Sequence, residues 1–311
     1  MIDNIFNKQN PFKQTNNTWL LKFIVEYQYL EVFTDRFEHM SETISSFEYD
    51  ASPNYESAPQ DKWMLEIYFD HEPERLVIKL ILQEIAASLN TLSPEFSIEK
   101  LEDQDWVSKV QEAFKAFAVG KFFIYSSFYK NSLPTNKHLL LIDPGRAFGT
   151  GEHETTTGCL MALSELSKKY KFYNMLDMGC GTGVLAIAMA KLWKNRILAL
   201  DIDSEAVKIT NENIKRNMSS EYIYASVSNG YSSKKIKQYG KFDLITANIL
   251  AKPLIKFAPD LKNSLAEGGI AVLSGLLSYQ EKSVIKAHIA QKLTVVKIIR
   301  RNNWSTIILH N

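Results

Sequence analysis

The stretch from Asn174 to Asp203, NMLDMGCGTGVLAIAMAKLWKNRILALDID, limits the possible folds more than any other part of the chain. A short apolar run, Met175 to Met178, carries Asp177 near its end, and three glycines follow at alternate positions, Gly179, Gly181 and Gly183. Val184 to Leu192 then repeats apolar residues at helical spacing. This order predicts strand, tight turn and helix, with a second buried strand over Arg196 to Leu200 that gives way to Asp201 and, two positions on, Asp203. Glycine is needed in the turn because the backbone bends sharply and must approach a ligand with no Cβ in the way.

Two ligand classes use such a loop. GTGVLA, from Gly181 to Ala186, satisfies the loose G-x-G-x-x-G/A pattern of dinucleotide sites. The tighter match is D-x-G-x-G-x-G, which puts Asp177 at the strand end just before the loop. A carboxylate there would repel a pyrophosphate and suits a ligand carrying positive charge, namely the amino group and sulfonium of S-adenosylmethionine. Asp201 can accept hydrogen bonds from both ribose hydroxyls in either case. The methyl-donor reading is preferred, because no proton-relay residue beside a hydride acceptor can be located.

The bulk numbers narrow the class further. A chain of 311 residues with 45% hydrophobic residues can form one large or two ordinary domains. A net charge of +1 gives no reason to expect nucleic-acid binding. The short clusters Lys234, Lys235, Lys237 and Arg300, Arg301 read as solvated surface. Cys159 and Cys180 are the only cysteines, too few for a disulfide framework or a zinc site, so a reducing compartment is expected. The polar N-terminus and the lack of an apolar run of 18 residues predict no signal peptide and no membrane span. The expectation is a cytoplasmic monomer. His153 lies between Glu152 and Glu154 but lacks partner ligands nearby, so no metal site is predicted.

Before the glycine loop the pattern predicts a strand over Trp19 to Tyr27, a helix over Leu30 to Met40, strands at Thr43 to Tyr49 and Trp63 to Phe69, a helix over Pro73 to Leu89 and a strand at Phe96 to Leu101. That β-α-β-β-α-β order fits a ferredoxin-like α+β domain over residues 1–100. Residues 101–120 read as a linker helix through the spacing of Trp106, Val110, Phe114 and Phe117, and 121–311 as the catalytic domain. Strands are expected at Phe122 to Ser126 and His138 to Ile142, followed by DPGRAFGTGEHETTTGCL, a glycine-rich loop that opens a helix. That loop could fold over a bound ligand, with Phe148 beside it and Thr155 or Thr156 offering a hydroxyl and an amide at the helix start. Downstream, a helix from Ser204 with Ser204 as its cap, a strand at Tyr222 to Val227 and a buried strand at Phe242 to Ala247 are expected. Asn248 then stands at a strand's carboxyl end, where open α/β sheets bind ligands. A strand at Ile270 to Leu277, a helix over Ser278 to Gln291 and a closing strand pair complete the chain.

DPGRAFGTGEHETT and LDMGCGTGVLAIAMAKL, followed by ANILAKPLIKFAPDLKNSL and GGIAVLSGLL, resemble the PrmA family, the methyltransferases of large-subunit ribosomal protein eleven. The resemblance runs from about Leu101 to Gly275. It implies a class I S-adenosylmethionine-dependent methyltransferase, a Rossmann-like doubly wound sheet, preceded by a domain that docks the substrate protein. It further implies cofactor contacts at Thr156, Gly179, Asp201 and Asn248, to which the local reading adds Phe148, Asp177 and Gly181. Asn248 is the candidate catalytic group, orienting the amine that is methylated. The implied reaction is N-methylation of lysine side chains and the terminal α-amine of that ribosomal protein, the alternative being a relative that methylates lysines of another protein. The loop departs from the family's GTGTHPTT by having Glu152 and Glu154 in GTGEHETT.

Overall fold

In the computed structural model, residues 18–38, 40, 41, 43–48, 62–101, 116–143 and 154–311 are described. Phe148, Glu152 and His153 lie outside them. The chain divides into two compact units, Met1–Trp106 and Val107–Asn311.

In the first unit, β1 (Thr18–Glu26), α1 (Leu30–Glu38), β2 (Thr43–Glu48), β3 (Lys62–Phe69), α2 (Arg75–Ser88) and β4 (Phe96–Leu101) follow the order read from the sequence. The strands form one antiparallel sheet in the order β2-β3-β1-β4. Alternation along the strands sorts the side chains by face. Leu21, Phe23 and Val25 of β1, with Leu65, Ile67 and Phe69 of β3, join Phe33 and Phe37 of α1 and Ile78, Ile81, Leu82 and Ile85 of α2 in one core. The α2 residues repeat at i, i+3, i+4 and i+7, a single helical stripe, whereas the apolar Leu76 and Leu80 fall outside it and are exposed. On the other sheet face Lys22 sits 3.6 Å from Glu66 and 3.9 Å from Glu99.

The second unit opens with β5 (Phe117–Val119), β6 (Phe122–Tyr125) and β7 (His138–Leu141), a small sheet of their own. This corrects the linker helix expected over 101–120 at its end. Phe117–Val119 pairs antiparallel with β6, so Phe117 belongs to a strand; residues 102–115 lie outside the described ones. Then come α3 (Glu154–Leu166), β8 (Asn174–Met178), α4 (Val184–Trp193), β9 (Arg196–Asp201), α5 (Ser204–Arg216), β10 (Ile223–Val227), α6 (Lys234–Tyr239), β11 (Phe242–Asn248), α7 (Ala251–Lys256), α8 (Ala258–Ser264), β12 (Leu265–Leu277), α9 (Glu281–Ile289), β13 (Thr294–Arg301) and β14 (Trp304–His310). The large sheet has the order β10-β9-β8-β11-β12-β14-β13, parallel through β12 and antiparallel beyond it.

Each central strand is buried on both faces, and neighbouring residues point to opposite cores. Met175, Ile270, Val272 and Ile308 face α3 and α4, whereas Leu176, Ala271, Leu273 and Ile307 face α7, α8 and α9. From β8 the chain winds outward through β9 and β10, then returns to β11 on β8's other side. That reversal opens a crevice at the carboxyl ends of β8 and β11.

One local expectation needs correction and another an addition. The cap of α5 is Asp203 rather than Ser204: its carboxylate accepts from the Glu205 amide at 2.9 Å, and the helix starts one residue later. An aspartate cap of this kind contributes about 1 kcal/mol. Arg300 and Arg301, read as solvated surface, do stay at the surface, Arg300 exposed and Arg301 half-buried, and both are ion-paired there, to Glu281 and Glu154.

Candidate active site

The glycine loop leaves β8 and turns across the end of β9. Gly179, Gly181 and Gly183 have φ of 74°, 54° and 81°, a region costly for residues with a Cβ. The amides of Gly179 and Cys180 both donate to the Leu200 carbonyl, at 2.7 and 3.0 Å. The Gly181 amide donates to Asp201 Oδ2 at 2.8 Å. From the next helix, Thr210 Oγ1 donates to the Gly181 carbonyl at 2.8 Å and Asn213 Nδ2 to that of Thr182 at 3.0 Å. The loop is therefore held by β9 and α5 before any ligand arrives. A Cβ at Gly179 would stand 2.2 Å from Ile249 Cγ2, so this glycine is also required by the strand end opposite.

Asp177 is only 1% exposed. Thr246 Oγ1 donates to its Oδ1 at 2.7 Å and the Ala186 amide to its Oδ2 at 3.1 Å. Burial pushes its carboxyl up to about 7 against those two hydrogen bonds, with Asp201's charge adding to the rise. Asp177 thus joins β8 to β11 and to the first turn of α4.

Asp201 is half-buried, and besides the Gly181 bond its Oδ1 accepts from the Asp203 amide at 3.1 Å. Each carboxylate oxygen keeps a further lone pair for a ligand hydroxyl. Across the crevice, Asn248 Nδ2 donates to Thr156 Oγ1 at 3.2 Å, joining the end of β11 to the first turn of α3 over 92 residues of chain. Thr156 is buried and Asn248 half-buried. Gly179, Gly181, Asp177 and Asp201 meet at the β8–β9 end, and Thr156 and Asn248 meet at the β11 end.

Two residues escape a reading of the sequence. Ile202, directly after Asp201, is 69% exposed at the sheet's carboxyl edge. Ser228, after β10, donates its amide to the Asp201 carbonyl at 2.7 Å. The one available signal is an apolar residue between two acids in DID.

The remaining reactive side chains are inert or scattered. Cys159 and Cys180 are buried free thiols, and burial raises both, Cys159 to about 12, so neither is a thiolate at neutral pH. Among the described residues no three His, Cys, Asp or Glu side chains converge to hold a metal.

The family described as Ribosomal protein L11 methyltransferase (PrmA) matches residues 20–311. A ribosomal protein L11 methyltransferase of Rhizobium rhizogenes is 38% identical over 91% of this chain and 94% of its own length. One of Rhizobium leguminosarum bv. trifolii is 39% identical over 80% of this chain and 84% of its own. The solved structure of a ribosomal protein L11 methylase from Lactobacillus delbrueckii subsp. bulgaricus is 26% identical, with a TM-score of 0.55, and covers 63% of this chain and 97% of that one. A match across both units, with the glycine loop and the β11 end intact, means that the chain belongs to the ribosomal protein L11 methyltransferase (PrmA) family.

Proposed function

We propose that this chain is an S-adenosylmethionine-dependent methyltransferase that methylates lysine side chains and the terminal α-amine of ribosomal protein L11. The observation that carries the reading is the meeting, at one crevice, of the glycine loop with Asp201 on one side and the Thr156–Asn248 pair on the other. The donor set fits the cofactor. Asp201 offers acceptors to ribose hydroxyls, and the exposed Ile202 beside it offers an apolar surface to a flat base. Gly179, with no Cβ, lets the loop backbone pack directly against Ile249 at the end of β11, which closes the glycine loop onto the crevice. S-adenosylmethionine supplies a methyl group on a sulfonium, which needs no metal and no covalent enzyme intermediate.

The chain's own work is then alignment and exclusion of water. A lysine amine has a reference pKa of roughly 10.4, so it must lose a proton before its nitrogen forms the new bond. Asn248 directs its amide nitrogen at Thr156, so its carbonyl oxygen is the group that accepts from the incoming amine. The antiparallel β2-β3-β1-β4 unit is read as a ferredoxin-like module that docks the protein substrate, joined to the catalytic unit through the segment between β4 and β5. We assign the enzyme to the cytoplasm as a monomer that does not bind nucleic acid directly; among the described residues no helix is long and apolar enough to cross a membrane.

A transfer assay with labelled S-adenosylmethionine tests the reading. Purified chain and free ribosomal protein L11 should give label at amines of that protein, located by mass spectrometry. Label appearing instead on a different protein from a total extract would keep the chemistry and replace the substrate. Asn248→Ala should cut transfer at least tenfold even at saturating cofactor, beyond its loss of cofactor affinity; full activity in this variant would remove Asn248 from the reaction.

A further inference from the structure

Two consecutive arginines at the tip of the last hairpin reach helices on opposite faces of the large sheet. The register pairs Arg301 with Trp304, leaving Asn302 and Asn303 as a two-residue turn, with Asn302 at φ 49°. Adjacent strand residues point to opposite faces, so Arg300 and Arg301 separate. Arg300 Nε and Nη2 donate to the two carboxylate oxygens of Glu281, both at 2.7 Å. Arg301 Nε donates to Glu154 Oε2 at 2.6 Å, and Asn302 Nδ2 to Glu154 Oε1 at 2.7 Å. Glu281 and Glu154 are the first residues of α9 and α3, where a negative charge complements the helix dipole.

The two pairs have different neighbours. Glu281 also accepts from Ser305 Oγ, and its helix packs on the face away from α3. Glu154 stands two residues before Thr156, whose hydroxyl accepts from Asn248. One turn further on, Gly158 lies against Thr306 of β14 so closely that a Cβ would sit 2.2 Å from its Oγ1. The first turn of α3 is thus fixed from three directions: by the hairpin tip, by β14 and by the end of β11.

We infer that Glu154, Arg301 and Asn302 are positioning residues of the cofactor site, holding Thr156 in register with Asn248 from outside the crevice. The inference rests on the assignment of Thr156 and Asn248 to the cofactor site. Glu154, whose position in the GTGEHETT stretch carries no obvious chemistry, is on this reading the peg by which the hairpin holds α3. The Arg300–Glu281 pair anchors the same hairpin without touching α3 and is the internal control.

The test measures the dissociation constant for S-adenosylhomocysteine by calorimetry, and Tm, on the full chain. Glu154→Gln and Arg301→Gln should each weaken binding about fivefold, the scale of a partly exposed charge-assisted pair. The double variant should be no worse than either single one, because both break the same contact. Exchanging the charges, Glu154→Arg with Arg301→Glu, should recover part of the loss, and Arg300→Gln should lower Tm while binding stays at the wild-type value. Wild-type binding by Glu154→Gln, or equal weakening by Arg300→Gln, would overturn the inference. Asp201→Ala separates the two levels of the argument. If it too binds like wild type, the cofactor-site assignment itself fails; if it binds poorly while Glu154→Gln is unaffected, only the positioning role is lost.

Discussion

Asp177 and Asp201 end neighbouring parallel strands, each beside the same glycine loop, and their surroundings differ in kind. Asp177 is enclosed, with one oxygen bonded to a β11 hydroxyl and the other to an amide of α4. Asp201 is half-buried, bonded among the described residues to two backbone amides at the rim and followed by an exposed isoleucine. An acid inside the sheet is a joint between elements; an acid at the rim is a group a ligand can meet. In the sequence the two read alike, each as an acid at the end of an apolar strand run.

Three substitutions sharpen or break this contrast. The largest effect is expected from Asp201→Ala, which removes charged acceptors worth about 1.5–3 kcal/mol and should weaken cofactor binding roughly 50-fold. Binding retained within threefold, measured by calorimetry, would mean that the rim acid is no more a ligand group than the enclosed one. Thr246→Val comes next, leaving Asp177 Oδ1 without its donor. Chemical unfolding should show a loss of about 1–2 kcal/mol, with cofactor affinity within a few-fold.

The smallest effect at neutral pH belongs to Asp177→Asn, and its signature is a slope. Asp177's carboxyl is raised from 3.8 to about 7, so the folded chain holds this proton more tightly than the unfolded one. Its effect on stability is most favourable below 3.8, declines as pH rises towards 7 and levels off above that. An asparagine keeps an acceptor for the Ala186 amide and can turn its own amide towards Thr246, so the variant should fold and lose this slope. Stability profiles of variant and parent that run parallel from pH 4 to 7 would show that burial of the carboxyl is not what sets the slope.

Much of the fold is legible in the sequence because its causes are local. The alternate glycines, the apolar runs of β8 and β9 and the helical stripe of α4 each follow from a short window, and Asn248 stands out by its place at a strand end. What stays hidden depends on distant partners. Arg300 and Arg301 look like an ordinary basic pair until the sheet brings Glu281 and Glu154 to them, 19 and 147 residues away. Ser204 looks like the cap of α5 because serine is a favoured cap type, yet Asp203 is available one position earlier and supplies the stronger acceptor. Phe117 has the spacing of a helix continuing from Trp106, and pairing with β6 overrides that pattern. Ile202 shows the converse: an apolar residue in a buried-looking run that the strand end leaves exposed.

The seam between β8 and β11 has a kinetic consequence. β11 is joined to β8 and to the first turn of α3 by hydrogen bonds spanning 69 and 92 residues, whereas the glycine loop closes on β9 and α5 over 20 to 31. Distant pairings are the slow ones, since a long intervening chain must be ordered first. During synthesis, one wall of the crevice is therefore complete once α5 has emerged, and the other waits for β11 to slot in beside β8. Acquisition of cofactor affinity is then a clock for that late insertion, and a refolding experiment followed by ligand fluorescence would time the arrival of β11 rather than the collapse of the chain.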